Sequence, residues 1–214
     1  MAQIWIARLD RLSQIGRDVL SKEEMARADA LRDPTHRRRY IASHAALRRI
    51  LGSTLSCEPS CVPFAMGAAG KPMLANTALH FNMSRSEDVA LIAVSERGAV
   101  GVDVERLRPM PDATDLARAY FAGPAREAIA AASLDARDKV FLMQWTRLEA
   151  IVKADGGGLG ASPSIVDVPF SDDDKMVRMR NREWGLQSFV PVDGYVAAFA
   201  SDGGRESFGF LDAV

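Results

Sequence analysis

The spacing of hydrophobic residues changes twice in the N-terminal part of the chain. Residues 1–10 alternate apolar and polar, as in a strand with one buried face. Ser21 is followed within three residues by two glutamates and predicts a helix start, because its hydroxyl can cap the first turn. Pro34 predicts the end of that helix. From Thr35, apolar residues recur at helical spacing up to a predicted stop at Gly52.

Short apolar runs separated by turn residues follow. Residues 59–72 are rich in Pro and Gly and predict a connection. Three segments then have strand composition and hairpin-sized gaps between them: residues 79–84, 89–95 and 99–105. Together they predict a three-stranded antiparallel meander.

Beyond Pro111 the apolar period becomes helical and later returns to that of strands. Helices are predicted over residues 115–122, 124–132 and 136–155, the last ended by the glycines of 156–160. Strands are predicted over residues 177–179, 184–190 and 195–200. Each half therefore places helices before sheet, which predicts an α+β chain of two similar halves, residues 1–98 and 99–214.

Composition limits the class of protein. Hydrophobic residues make up 48% of the chain, charged residues 26%, and the mean hydropathy is -0.06, as in folded globular proteins. No apolar run reaches membrane-spanning length and the N-terminus does not resemble a signal peptide, so we expect a cytoplasmic protein without membrane partners. A net charge of -1 gives no bias toward nucleic acid. Cys57 and Cys61 have no histidines nearby and are expected to be reduced thiols.

Arginines are concentrated in the second predicted helix and just before it. They are Arg32, Arg37, Arg38, Arg39, Arg48 and Arg49. Two interpretations stay open at this point: a solvated helical face, or a surface that binds an anionic ligand.

Two acids share one face of the strand predicted over residues 99–105. Alternation places Asp103 and Glu105 with Gly101, and the three valines on the other face. The two side chains stand roughly 7 Å apart, close enough to share one cation. Gly101 predicts room for a ligand beside them.

A third acid lies on the long helix that ends near residue 155. Glu149 and Lys153 are four residues apart and share a helical face, where a surface ion pair is the alternative to a functional role. All three acids offer oxygen donors, and neither segment contains His or Cys. Such a set suits a hard divalent ion such as Mg²⁺ better than zinc or copper.

The segments GVDVE (101–105) and WTRLEAIVKA (145–154) resemble the two signature motifs of 4′-phosphopantetheinyl transferases of the long, surfactin-synthetase-activating type. Four further segments agree with that family in order and spacing: GKP (70–72), HFNMS (80–84), LIAVS (91–95) and DGYVAAFA (193–200). The resemblance therefore covers most of the chain.

The resemblance implies an enzyme that moves the phosphopantetheine arm of coenzyme A onto a serine of an acyl or peptidyl carrier protein and releases 3′,5′-ADP. It implies Mg²⁺ held by Asp103, Glu105 and Glu149. Glu149 is the candidate base, and Lys153 neutralises the phosphate or protonates the leaving group. Fatty acid, polyketide and nonribosomal peptide carriers all stay open as partners.

The family binds the phosphates of coenzyme A with polar and basic residues, mostly from its first half. By that pattern the candidates in this chain are Lys71, Ser84, Arg85, His44 and Lys153, with Arg37 and Arg38 as peripheral contacts. Three of the family's basic positions differ here: Leu148 stands where the family has Lys, Arg85 where it has His, and His44 where it has Arg.

Three explanations of these features remain. The chain is an active enzyme with redistributed charge, a catalytically impaired relative that binds coenzyme A with a regulatory or scaffold role, or an interaction domain whose acids are solvated. The resemblance also implies a pseudo-twofold arrangement of the halves with the ligand between them, for which a monomer suffices. Carrier docking is expected near Phe121 and Phe141, with burial in the core as the alternative.

Overall fold

The computed structural model describes residues 2–12, 16–67, 70–158, 175–179, 182–202 and 208–212. Its first half contains β1 (Ala2–Arg8), α1 (Lys22–Ala30), α2 (Pro34–Leu55), β2 (Phe64–Met66), β3 (Pro72–Leu74), β4 (His80–Ser86) and β5 (Val89–Ser95). Short 3₁₀ turns lie at Arg17–Val19 and Pro59–Cys61. The second half contains β6 (Val100–Arg106), α3 (Ala113–Tyr120), α4 (Gly123–Ala131), α5 (Leu134–Asp155), β7 (Lys175–Met179), β8 (Arg182–Phe189), β9 (Tyr195–Asp202) and β10 (Phe208–Asp212).

The start predicted for the first helix is confirmed. Ser21 Oγ accepts a hydrogen bond from the N–H of Glu24, and the Glu24 carboxylate accepts one from the N–H of Ser21. This reciprocal pair is a capping box. Helix α1 ends at Ala30, and Pro34 is the first residue of α2, where its missing N–H costs nothing.

The stop predicted at Gly52 is wrong. Helix α2 continues to Leu55 and ends where Ser56 takes the left-handed conformation, with φ of 54°. A Cβ at Gly52 would lie 2.8 Å from the carbonyl oxygen of Cys57. The glycine therefore serves a close approach, because the chain after the helix folds back against it.

The described strands form two four-stranded sheets and one small hairpin. The first sheet has the order β10-β1-β5-β4, the second β6-β9-β8-β7, and β2 pairs with β3. Together with five α-helices they confirm an α+β fold. The meander prediction is wrong in its third strand, because β6 pairs with β9 rather than with β5. β10 pairs in parallel with β1 in the first sheet, and the division at residues 98 and 99 stays a prediction.

Four layers bury the core. Helix α2 packs against β5 on the outer face of the first sheet, and α5 covers the second sheet. Between the sheets, the valines of β6 contact buried residues of β1, β5 and β9, among them Ile4, Leu91 and Phe199. Each half thus has a long helix on a sheet. A pseudo-twofold relation between the halves stays a prediction.

Side chains of β4 connect the two sheets at their facing edges. Three N–H groups of β6 donate to them: Val102 to Asn82 Oδ1 (2.9 Å), Val104 to Ser84 Oγ (3.4 Å) and Arg106 to Ser86 Oγ (3.1 Å). A strand edge exposes N–H groups that need acceptors. Here polar side chains supply those acceptors in place of a neighbouring strand, and we name this set the β4–β6 seam.

The structure shows where the two predicted docking phenylalanines lie and whether a described helix could span a membrane. Phe121 and Phe141 are buried in the core that α5 shares with α3, α4 and the second sheet, so the core alternative is correct for both side chains, and carrier docking near them stays a prediction. Among the helices of the described residues, none is long and apolar enough to cross a bilayer.

Candidate active site

The acids predicted on one face of β6 lie where that strand meets α5. The valines of β6 are buried between the sheets, and Asp103 lies on the opposite face with 4% of its surface exposed. The room expected for a ligand at Gly101 is taken by the helix instead, because a Cβ there would lie 2.0 Å from the carbonyl oxygen of Ala150. Glycine therefore lets α5 pack directly on β6, which brings its Glu149 and Lys153 beside the acids.

Lys153 directs its ammonium toward Asp103. Its Nζ lies 2.5 Å from Asp103 Oδ1 and 3.1 Å from Ser84 Oγ. The Ser84 hydroxyl in turn donates to Asp103 Oδ1 at 2.7 Å. An ammonium held by a carboxylate and a hydroxyl makes a half-buried, charge-assisted contact rather than the surface Glu149–Lys153 ion pair that is the alternative.

A second serine of β4, two residues further along the strand, also donates to an acid of β6. Ser86 Oγ donates to Glu105 Oε2 at 2.9 Å, and Arg108 places a guanidinium nitrogen 3.7 Å from the same oxygen. The β4–β6 seam therefore touches both acids of β6. Its serines each accept a β6 N–H and donate to a carboxylate.

The three carboxyl groups influence one another electrostatically. Burial raises the pKa of Asp103, and the attraction of Lys153 and the Ser84 hydrogen bond only partly offset it. Burial also raises the pKa of Glu105, with repulsion from Asp103 adding to it. The pKa of Glu149 rises through burial and through repulsion from Asp103 and Glu105, while Lys153 opposes the rise. Three acids that repel one another across a partly dry site favour a cation.

The donor set fits a hard divalent cation. Asp103 Oδ2 is buried and has no hydrogen-bond partner, so one carboxylate oxygen is available beside Glu105 and Glu149. All three residues offer oxygen ligands, as magnesium prefers. In the part of the chain that the structure describes, however, no group of three or more His, Cys, Asp or Glu side chains already stands arranged as a metal site.

Lys71 lies where the last turn of α5 contacts the first residue of β6. Its Nζ donates to the carbonyl oxygens of Val100 (3.3 Å), Lys153 and Ala154 (3.2 Å). Burial lowers its pKa to about 8. The structure therefore places this predicted phosphate contact on backbone carbonyls, and its binding role stays a prediction.

His44 and Arg85 lie together on the α2 side of β4. The rings of Tyr40 and His44 stack with centroids 3.9 Å apart, and the Arg85 guanidinium lies 5.6 Å from the Tyr40 centroid. Burial lowers the pKa of His44, whose Nδ1 lies 3.0 Å from the carbonyl oxygen of Tyr40. A neutral imidazole is a weaker anion contact than the arginine of the family pattern.

A cavity of about 380 Å³ opens beside this stack. Arg27, Tyr40, His44, Phe64 and Met83 are among its lining residues. Three consecutive residues of β4, namely Phe81, Asn82 and Met83, line the cavity. The next residue, Ser84, contacts Asp103, so the cavity and the acids adjoin the same strand.

Arg37 and Arg38 bind protein groups. Arg37 donates twice to the carbonyl oxygen of Leu31, at 3.1 and 2.8 Å. Arg38 donates to the carbonyl oxygen of Leu9 at 3.2 Å and to Asp88 at 3.0 Å. Both hold α2 to neighbouring segments, and the structure does not bring them to the three acids. Their role as peripheral phosphate contacts stays a prediction.

Comparison with known proteins decides the family. The chain is 35% identical over 207 residues to the 4′-phosphopantetheinyl transferase HetI of a Nostoc species, covering 94% of this chain and 87% of HetI. The chain belongs to the 4′-phosphopantetheinyl transferase superfamily. The sequence model of that superfamily also matches residues 99–200, which include all three acids. The predicted family and its classification as an enzyme are thereby confirmed.

Two further transferases are similar over shorter stretches. The 4′-phosphopantetheinyl transferase AcpT of Escherichia coli K12 is 37% identical over 122 residues, covering 56% of this chain and 59% of AcpT. The L-aminoadipate-semialdehyde dehydrogenase-phosphopantetheinyl transferase of Eremothecium gossypii is 33% identical over 147 residues, covering 61% of this chain and 50% of that protein.

Leu148, which stands where the family pattern has lysine, is a core residue in this transferase. Leu148 has 0% of its surface exposed and belongs to the core under α5. Arg147 beside it is also buried and donates to Ser188 Oγ at 2.7 Å. Arg147 therefore faces the second sheet and does not replace the lysine that the family pattern has at 148.

Asn82 and Ser86 are site residues that the sequence analysis missed. Both belong to the β4–β6 seam, Asn82 at its start and Ser86 next to Glu105. Their sequence signal is the polar alternation of Asn82, Ser84 and Ser86 along a strand whose intervening residues face α2.

Proposed function

We propose that this transferase moves the 4′-phosphopantetheine group of coenzyme A to a serine of an acyl or peptidyl carrier protein and releases 3′,5′-ADP, with Mg²⁺ as cofactor. The single observation that carries the proposal is the convergence of Asp103, Glu105, Glu149 and Lys153 at the contact of β6 with α5. Three acids and one ammonium in that contact suit a phosphoryl-transfer site.

The three acids would hold the metal. Asp103 offers its unpartnered Oδ2, and Glu105 and Glu149 offer carboxylates whose pKa is raised by burial. When bound, Mg²⁺ would neutralise negative charge that develops on the pyrophosphate oxygens.

Two residues of α5 would handle protons and charge. The raised pKa of Glu149 makes its carboxylate a stronger base, which suits the removal of a proton from a carrier serine. Lys153 would neutralise the transferred phosphate or protonate the leaving group. Its ammonium is already oriented by Asp103 and Ser84, so little side-chain freedom remains to be lost when the substrate binds.

The nucleotide part of coenzyme A would occupy the cavity on the α2 side of β4. Its volume of about 380 Å³ is within the range of small-molecule sites. Phe64 and Met83 offer apolar walls for a base, and Arg27 offers positive charge for a phosphate. Arg85 beside Tyr40 adds a second guanidinium at the same stack.

One observation favours a second candidate function. The lysine of the family pattern is replaced by a core leucine at 148, and Arg147 does not supply the missing charge. A transferase weakened in this way would bind coenzyme A and act as a regulatory or scaffold protein. We propose the active enzyme first, because all acids and Lys153 are present. We also propose a cytoplasmic monomer, because the family resemblance implies a site formed between two halves of one chain.

The test is the mass of a carrier protein. Apo carriers of the fatty acid, polyketide and nonribosomal peptide types are each incubated with the protein, coenzyme A and Mg²⁺, and the Glu149→Gln variant is the matched control. We expect at least one carrier to gain the mass of one phosphopantetheine group with wild type only. No gain on any carrier would overturn the enzyme, and calorimetric binding of coenzyme A in that case would support the second candidate.

A further inference from the structure

Lys71 occupies the place where the end of α5 meets the start of β6. Its ammonium contacts one carbonyl of the strand, that of Val100, and two of the helix, those of Lys153 and Ala154. We propose that Lys71 is a positioning residue, which clamps the last turn of α5 onto β6 and thereby fixes Lys153 beside Asp103. The clamp is independent of the proposed function, whereas its effect on catalysis rests on that function.

The ammonium of Lys71 supplies hydrogen-bond donors to backbone carbonyls of both α5 and β6. The last four carbonyls of an α-helix have no partner within the helix, and a cation is favoured there by the helix dipole. Lysine has three N–H donors, and the three carbonyls of Val100, Lys153 and Ala154 use all of them. No donor of the ammonium remains for a phosphate in this arrangement.

Two glycines lie beside the clamp. Gly156 ends α5 in the left-handed conformation, with φ of 83°, and a Cβ there would lie 3.4 Å from Cδ of Lys71. The lysine stem therefore passes directly over the helix end. A Cβ at Gly101, next to Val100, would lie 2.4 Å from the backbone nitrogen of Ala154. Lys71 thus binds next to a close backbone approach of helix and strand.

The clamp and the active site share a residue. Lys71 holds the carbonyl oxygen of Lys153, and the side chain of Lys153 holds Asp103. On the strand, Val100 precedes Asp103 by three residues. Loss of the ammonium would free the backbone on both sides of the Lys153–Asp103 contact, so the geometry of that contact would loosen without any change in its own side chains.

Hydrogen exchange of the ligand-free protein tests the clamp directly. In the Lys71→Met variant, amides of residues 150–158 should exchange about tenfold faster, the change expected for a local loss of about 1.4 kcal/mol. Residues 134–145 of the same helix should be unaffected. Lys139→Met, on an exposed lysine of α5, is the matched control and should change neither segment. Unchanged exchange over 150–158 in the Lys71 variant would overturn the clamp.

Restoring the ammonium distinguishes positioning from phosphate binding. The Lys71→Cys variant is alkylated either with 2-bromoethylamine, which rebuilds a side chain of lysine length, or with neutral iodoacetamide. Wild type treated in the same way controls for Cys57 and Cys61. The amine should return slow exchange over 150–158 and raise kcat, and the neutral group neither.

The alternative role has a different signature. If Lys71 contacts a phosphate instead, Lys71→Met raises KM for coenzyme A at unchanged kcat and leaves exchange of the ligand-free protein as in wild type. That pattern would overturn the proposal. Faster exchange in a protein that transfers nothing to any carrier would support the clamp and reject only the proposed function. If Lys71→Met does not fold, the two alkylated forms of Lys71→Cys still provide the comparison.

Discussion

Ser84 and Asp103 lie in different sheets, yet the Ser84 hydroxyl donates to Asp103 Oδ1 at 2.7 Å. The same hydroxyl accepts from the N–H of Val104 and from Lys153 Nζ. One oxygen therefore connects both strands of the β4–β6 seam with the charged residues of the site. Its loss should affect stability and activity together.

For Ser84→Ala we expect a loss of about 1–3 kcal/mol in the free energy of unfolding, because a buried carboxylate and a buried N–H lose a partner. Transfer should also slow, since Asp103 and Lys153 lose a shared contact. Urea unfolding and carrier mass analysis measure the two effects. Ser86→Ala is the control, because it leaves the Lys153–Asp103 contact intact. Wild-type stability in Ser84→Ala would contradict the assigned contacts.

Glu149 and Asp103 should respond differently to loss of charge. Glu149→Gln removes a carboxylate that two other acids repel, so the fold should be retained while transfer falls about 10²- to 10⁴-fold through loss of the base. Asp103→Asn removes a buried charge, which relieves desolvation, but it also removes the charged partner that lies 2.5 Å from the Lys153 ammonium. The loss of this ion pair should make Asp103→Asn the less stable of the two variants. Thermal unfolding of both variants checks the order, and a more stable Asp103→Asn would reverse our assignment.

Mg²⁺ should stabilise the protein more at neutral than at acid pH. The pKa values of all three acids are raised by burial, so their protonation favours the folded state. Without metal, the contribution of these groups to stability is present at low pH and is lost as pH rises through their folded pKa values. Mg²⁺ requires the deprotonated forms, which gives the opposite trend. Melting temperatures at pH 5 and pH 8, with and without Mg²⁺, test this, and Glu105→Gln should reduce the difference.

The lowered pKa of Lys71 predicts a second effect of pH on stability, at alkaline pH. Its pKa of about 8 lies below the value of about 10.4 for an unfolded chain. Between these values the unfolded state binds more protons, so stability rises with pH, by up to about 1.4 kcal/mol per pH unit. Asp155, Arg182 and His80 face the same ammonium and modulate the effect. Urea unfolding from pH 7.5 to 9.5 should show a steeper rise in wild type than in Lys71→Met. Equal slopes would refute the lowered pKa.

Leu148→Lys should destabilise the protein rather than raise its activity. The position is fully buried among apolar residues, and burial of an unpaired ammonium costs roughly 3 kcal/mol or more at neutral pH. Leu148→Met, of similar volume and no charge, is the control and should cost less than about 1.5 kcal/mol. A stable Leu148→Lys with faster transfer would mean that the lysine reaches the acids after all.

The sequence predicts elements well where a local period decides them. The alternation around Asp103 and the four-residue spacing of Glu149 and Lys153 place these side chains on the faces that the structure confirms. Such periods depend only on neighbours in the chain. Only the family resemblance predicts that the strand and the helix meet, because no local pattern encodes a contact between distant elements.

Long-range relations account for the errors. The pairing of β6 with β9 rather than β5 is a choice between strands of similar composition. The sequence predicts ligand space at Gly101 and a helix stop at Gly52. Both glycines instead serve close backbone approaches, which become evident only when the packed partner is known. Lys71 shows another long-range relation that no local pattern encodes. The family resemblance implies a phosphate contact there, which stays a prediction, and in the structure its ammonium lies on three carbonyls from two other elements.

The β4–β6 seam has a consequence for how this protein unfolds. A ladder of backbone hydrogen bonds would join the two sheet edges whatever the side chains were. Here Asn82, Ser84 and Ser86 make the hydrogen bonds between the edges, beside the apolar contacts of the β6 valines. The same serines orient the acids. Separation of the sheets and loss of the site are therefore one event. With Trp5 and Trp145 replaced by Phe, the fluorescence change of the buried Trp184 in the second sheet should coincide with loss of coenzyme A binding in a single transition.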